Sequence, residues 1–180
     1  MEYEVIRSAR RTLAAEIRGG RLIVRAPLQA TDGEISRFLS KNRDWIETHL
    51  SAAQARVKDV PKLTREELEA LANRALEVIP ERVKHFAPLV GVTYGRITIR
   101  NQRTKWGSCS SKGNLNFNCL LLLAPPEVLD SVVVHELCHR KEPNHSPRFY
   151  AEVLRVFPDY WDRHRWLKEH GAELMARMGE

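Results

Sequence analysis

The stretch Val133-Val134-His135-Glu136-Leu137-Cys138-His139 sets two imidazoles and a carboxylate into the most apolar part of the chain. Val128, Leu129 and Val132 precede it, and Pro125-Pro126 suits the first turn of a helix, so the spacing predicts a largely buried helix running on towards Pro143. Burying a polar group without a partner costs roughly 2–7 kcal/mol, and an unpaired charge costs far more. Any fold for this chain must therefore bring partners to three polar side chains on one buried helix.

The order H-E-x-x-H puts His135 and His139 at i and i+4, on one helix face about a turn apart. Two imidazoles so placed can hold one metal ion. Zinc takes neutral histidine nitrogen, and a catalytic site keeps three protein ligands and one open position for water. Glu136 is offset around the helix, so it need not touch the ion and can reach that water as a general base. The ion lowers the pKa of its water to about 7.

A third ligand is needed. His145 follows Pro143, where the helix must stop, and precedes Ser146-Pro147, an N-cap with proline at the first helical position. The chain can turn there and present an imidazole. Glu152 on the next helix is the rival ligand. His164 and His170 read as exposed helix residues, and Cys138 as a buried, inert thiol. Tyr150 and His164 are candidates to stabilise a developing oxyanion.

The rest of the chain frames this helix. Residues 1–26 read as short strands, with Gly19-Gly20 as a hairpin signal and Pro27 as the end of the segment. Thr31-Asp32-Gly33-Glu34 is a capping box, which predicts one helix of about 20 residues. Thr64-Arg65-Glu66-Glu67 is a second box. The helix behind it is predicted to kink or break at Pro80 and to end near Pro88. Residues 96–100 and 115–119 read as strands, with Gly107 to Asn114 as a loop between them. Helices over about 147–157 and from Asp159 complete the pattern. Strands, long helices, a small sheet and then helices indicate an α+β fold. The expected division is 1–60, strands and a helix packed on the core, and 61–180, the metal-binding core.

Composition narrows the compartment. The chain has 180 residues, 43% hydrophobic and 29% charged, as in ordinary globular proteins. No apolar run reaches the length of a membrane span, no signal-peptide h-region is present, and three cysteines form no C-x-x-C, so the expectation is a cytoplasmic, non-membrane protein. A net charge of +6 allows nucleotide or nucleic-acid contact through a basic surface. Oligomeric state is not legible.

His135-Glu136-Leu137-Cys138-His139, Asn144-His145-Ser146 and Phe149-Tyr150 together resemble the YgjP-like zinc metallopeptidase family, also called M48-like or DUF45. Trp106-Gly107-Ser108-Cys109-Ser110, Leu115-Asn116-Phe117-Asn118, Ser8-Ala9-Arg10-Arg11 and Trp45-Ile46 extend the likeness over nearly the whole chain. The resemblance implies zinc held by His135, His139 and His145, Glu136 as catalytic base, and a zincin-like core, with a small sheet packed on the H-E-x-x-H helix and an N-terminal strand-and-helix extension. That core would be related to SprT-like and minimal gluzincin proteases.

The expected function is a zinc-dependent metallohydrolase, foremost a metallopeptidase in which Glu136 activates a zinc-bound water to cut a peptide or protein substrate. In such a core an edge strand can pair with extended substrate, and Leu115 to Cys119 is the candidate strand. A nucleotide pyrophosphohydrolase, with phosphates held by Arg96, Arg100, Arg103 and Lys105, is the first alternative. Against it, phosphate enzymes favour Mg²⁺ held by carboxylates, and the chain has no aspartate cluster. A nucleic-acid-associated protein with structural zinc is the second alternative; it leaves Glu136 without a purpose. Trp106 reads either as the floor of a pocket or as a packed side chain among solvated bases.

Overall fold

The computed structural model describes residues 2–102 and 104–178. The chain forms two compact units, Met1–Pro61 and Lys62–Glu180.

The first unit is a three-stranded sheet with two helices. Strands β1 (Tyr3–Ser8), β2 (Ala14–Arg18) and β3 (Arg21–Pro27) take the order β1-β3-β2, with β1 parallel and β2 antiparallel to β3. Gly19 and Gly20 both have positive φ, 55° and 74°, the left-handed pair that a two-residue hairpin needs. Leu22, Val24 and Ala26 of the central strand are buried. The Thr31 box opens α1 (Asp32–Lys41), and α2 (Arg43–Lys58) follows. The single helix expected here is two helices. At Asn42 the backbone leaves helical geometry and the side-chain amide donates to the Phe38 carbonyl at 2.8 Å, a local bond that competes with the helix ladder.

The second unit carries the motif. Helix α3 (Arg65–Val90) starts at the Thr64 box and ends at Gly91, which is left-handed with φ 81°. It ends within two residues of Pro88, as expected, and continues through Pro80 without the predicted break. A proline inside a helix costs about 3 kcal/mol. Burial of Ile79, Val83, Phe86 and Val90 on one stripe returns about 1.5–3 kcal/mol each, so packing prevails.

Strands β4 (Ile97–Arg100), β5 (Gly107–Cys109) and β6 (Leu115–Asn118) form a sheet in the order β4-β6-β5. β6 is therefore the central strand, parallel to β4 and antiparallel to β5. This overturns the expectation that Leu115 to Cys119 is a free edge: its backbone groups are already committed on both sides. The edge beside the motif is β5, in a segment expected to be loop. The apolar run after β6 does not extend the strand. It winds into a 3-10 turn, Cys119–Leu123, because the Asn118 side chain accepts from the Leu120 amide at 3.0 Å.

Helix α4 (Pro126–Cys138) lies in the core, with Val128, Leu129, Val132, Val133, Val134, Leu137 and Cys138 buried. It ends earlier than expected, so His139 is its C-cap rather than an interior residue. Helices α5 (Pro147–Val156) and α6 (Tyr160–Ala176) complete the unit. No helix of the described residues is long and apolar enough to cross a membrane.

Arg82 of α3 clamps Asp130 of α4 with two bonds, Nε to Oδ1 at 2.6 Å and Nη2 to Oδ2 at 2.7 Å. The Arg82 side chain is 38% exposed, which places the pair between surface and buried values. Asp130→Ala is expected to lower stability by about 1–2 kcal/mol in urea unfolding while leaving metal binding intact.

Candidate metal centre

Three imidazoles converge at the end of α4. One ligand atom from each of His135, His139 and His145 lies within 4.8 Å of the others. The Nε2 atoms of His135 and His145 are 3.0 Å apart. His135 and His139 arrive on the last turn of α4. His145 arrives from the turn before α5, whose start is fixed by Ser146 accepting from the Phe149 amide at 3.2 Å. The Phe149 ring is buried and packs within 4.5–5.0 Å, centroid to centroid, of all three imidazoles, so one apolar side chain supports the set.

The other ring nitrogens are held from behind. His135 Nδ1 lies 2.9 Å from the Tyr160 hydroxyl, and His139 Nδ1 lies 3.1 Å from the Glu142 carbonyl. A nitrogen facing a carbonyl must be the protonated one, which leaves His139 Nε2 with its lone pair free for an ion. Such outer bonds orient metal-binding histidines. Tyr160 is 25 residues from His135 and carries no local sequence signal for this role.

Burial favours neutral rings. It pushes His135 down to about 3, with the neighbouring His139, His145 and His164 acting in the same direction. His139 is lowered too, mainly by burial. Three converging imidazoles, two of them biased towards the neutral form, are the donor set a borderline-soft divalent ion takes, so these residues fit a metal.

Glu136, on the same helical turn as His135 and His139, is 6% exposed. Burial pushes its carboxyl up to about 8, and only Lys105 opposes the shift. Among the described residues no side chain donates a hydrogen bond to it. The carboxylate instead lies against Gly107 of β5: a Cβ built there would stand 2.6 Å from Oε1, 2.7 Å from Cγ and 2.9 Å from Cδ.

The other candidates are placed elsewhere. Glu152 is tied to Lys141 at 2.9 Å and Arg155 at 3.0 Å, and those bonds hold its carboxyl below the usual range. Cys138 is fully buried, and burial pushes its thiol up to about 12. His170 packs on Trp166 at 4.5 Å. His164 stacks on Tyr160 at 5.6 Å, and Tyr150 stacks beside His145 at 6.2 Å. Trp106 is a packed side chain, seated against Gly171 of α6. Of the basic residues, Arg100 donates to Asn116 at 3.1 Å, and Arg103 lies outside the described residues.

The YgjP-like family, a metallopeptidase domain, matches residues 57–170. The chain belongs to this family. None of the curated proteins compared matches it. Two solved structures resemble the YgjP-like chain. The metallopeptidase zymogen abylysin of Pyrococcus abyssi is 23% identical with a TM-score of 0.47, over 51% of this chain and 94% of that one. The zymogen jannalysin of Methanocaldococcus jannaschii is 21% identical with a TM-score of 0.46, over 51% and 94%.

Two outcomes follow from this geometry. Tyr160→Phe removes the partner of His135 Nδ1 and is expected to weaken divalent-metal affinity about 10-fold or more in a chelator competition. In metal-free protein, Glu136 keeps in the fold a proton that the unfolded chain has lost above 4.5, so stability falls as pH rises towards about 8. His135 acts oppositely below 6.5, where the unfolded chain is protonated and the fold is not. Between pH 6.5 and 8 the Glu136 contribution stands alone of the two. The melting temperature of chelator-treated protein should fall across that window, and the fall should vanish in Glu136→Gln.

Proposed function

We propose that this YgjP-like metallopeptidase is a zinc enzyme that hydrolyses peptide bonds, with His135, His139 and His145 as ligands and Glu136 as general base. The observation that carries the reading is a nearly buried carboxylate, without a charged partner among the described residues, on the helical turn that also bears two converging imidazoles. Zinc bound there supplies Lewis acidity to the attacking water and to the scissile carbonyl.

The chain's own residues do the rest. Glu136 accepts the proton of the attacking water. From its place between the two histidines on the last turn of α4 it passes that proton to the leaving amine. Tyr150, stacked beside His145, donates a hydrogen bond to the developing oxyanion, while His164 stacks on Tyr160, the partner of His135 Nδ1.

The substrate backbone is taken up by β5. The Asn118 amide donates to the Trp106 carbonyl at 2.8 Å and the Ser110 amide to the Asn114 carbonyl at 2.9 Å. In an antiparallel pair hydrogen-bonded residues alternate, so 106, 108 and 110 face β6, and Gly107 and Cys109 direct their N–H and C=O groups to the open edge. An extended peptide can pair there, directly beside Glu136.

Glu136→Gln is expected to keep one zinc per chain and to lose at least about 100-fold in casein cleavage. His145→Ala is expected to lose zinc by elemental analysis. Phosphate release from nucleoside triphosphates by the zinc-loaded chain, with casein left intact, would favour the nucleotide hydrolase instead. Zinc retained with neither activity would favour a structural metal.

A further inference from the structure

Gly107 does not owe its identity to backbone conformation. The glycines with positive φ are Gly19, Gly20, Gly91 and Gly113, so at 107 the backbone is one that residues with side chains also adopt. What distinguishes Gly107 is the space where a side chain would be. That space is filled by Glu136, whose Oε1, Cγ and Cδ all lie less than 3.0 Å from the position of a Cβ.

We propose that Gly107 is a positioning residue for the reaction: its missing side chain is the slot that sets where the Glu136 carboxylate stands. The proposal rests on Glu136 acting as the general base. A catalytic carboxylate is usually aimed by hydrogen bonds. Among the described residues the Glu136 carboxylate receives none, and its close fit against Gly107 is the contact that aims it.

The slot is rigid on the strand side. The Asn118 amide holds the Trp106 carbonyl at 2.8 Å, and the Asn118 side chain holds the carbonyls of Gln102 at 2.6 Å and Lys105 at 3.2 Å. Asn116 holds the Ser108 hydroxyl at 3.2 Å. The Trp106 ring lies in a notch of α6 at Gly171, where an added Cβ would meet it at 3.1 Å. With β5 anchored before and after residue 107, a methyl group there moves the flexible end of Glu136 and not the strand. The carboxylate must retreat by roughly half an ångström or more to reach ordinary contact distance. A displacement of about 1 Å can cost on the order of 10²-fold in rate.

The test uses the full zinc-loaded chain and a fluorogenic peptide, with Gly107→Ala, Glu136→Gln and the double variant. Gly107→Ala is expected to bind zinc one to one and to melt close to wild type. Its KM should stay within about threefold while kcat falls about 10- to 100-fold. The double variant should be no slower than Glu136→Gln alone, because the substitution acts only through the carboxylate. A wild-type kcat in Gly107→Ala overturns the proposal. So does a loss confined to KM, which would mean that strand pairing with substrate is disturbed. Unfolding or loss of zinc also overturns it, since the added methyl would then be displacing more than Glu136. So does further slowing in the double variant. If Glu136→Gln keeps wild-type activity, the general-base reading falls and this proposal with it. If Glu136→Gln is inactive and Gly107→Ala is not, the positioning proposal falls alone.

Discussion

The unit rests on the burial of α4. Its apolar residues fill the core and, in doing so, carry Glu136 to a buried position and His135 to a half-buried one. Burial acts on both groups. It disfavours charge on His135 and, in the metal-free chain, raises the proton affinity of the Glu136 carboxylate. One physical effect, loss of hydration, shifts the base and the acid in opposite directions. The helix ending at Cys138 adds to this: with His139 as the cap, the chain is free to turn and bring back His145.

Support for the site comes from distant parts of the chain. Phe149 on α5 packs against all three imidazoles, Tyr160 on α6 fixes one of them, and β5 shapes the place of Glu136. Each contact is ordinary in strength. Together they leave few arrangements open to the three rings and the carboxylate, and catalysis depends more on such restriction than on any single bond.

Local chemistry made much of this legible from the residues alone. The i, i+4 histidines follow from helical geometry. Ser146-Pro147 opens α5 directly after His145, and both Thr capping boxes hold, whereas α4 stops at Cys138, well before Pro143. The errors lie where the answer was non-local. Nothing near Leu115 says that β6 is flanked on both sides; strand order is a property of the sheet. Gly107-Ser108-Cys109 has weak strand character and becomes a strand because β6 offers it a ladder. Pro80 breaks a local rule that core packing overrides. Asn42 is the reverse case, where a small side-chain bond wins over a long helical pattern.

β5 is only three residues long, Gly107–Cys109. An exposed ladder edge of greater length is an invitation to pair with other copies of the same chain, and proteins commonly answer that hazard by keeping such edges short. Here the brevity has a second consequence: two outward-facing residues provide too few main-chain bonds for tight capture, so a segment held there leaves readily once it has been cut.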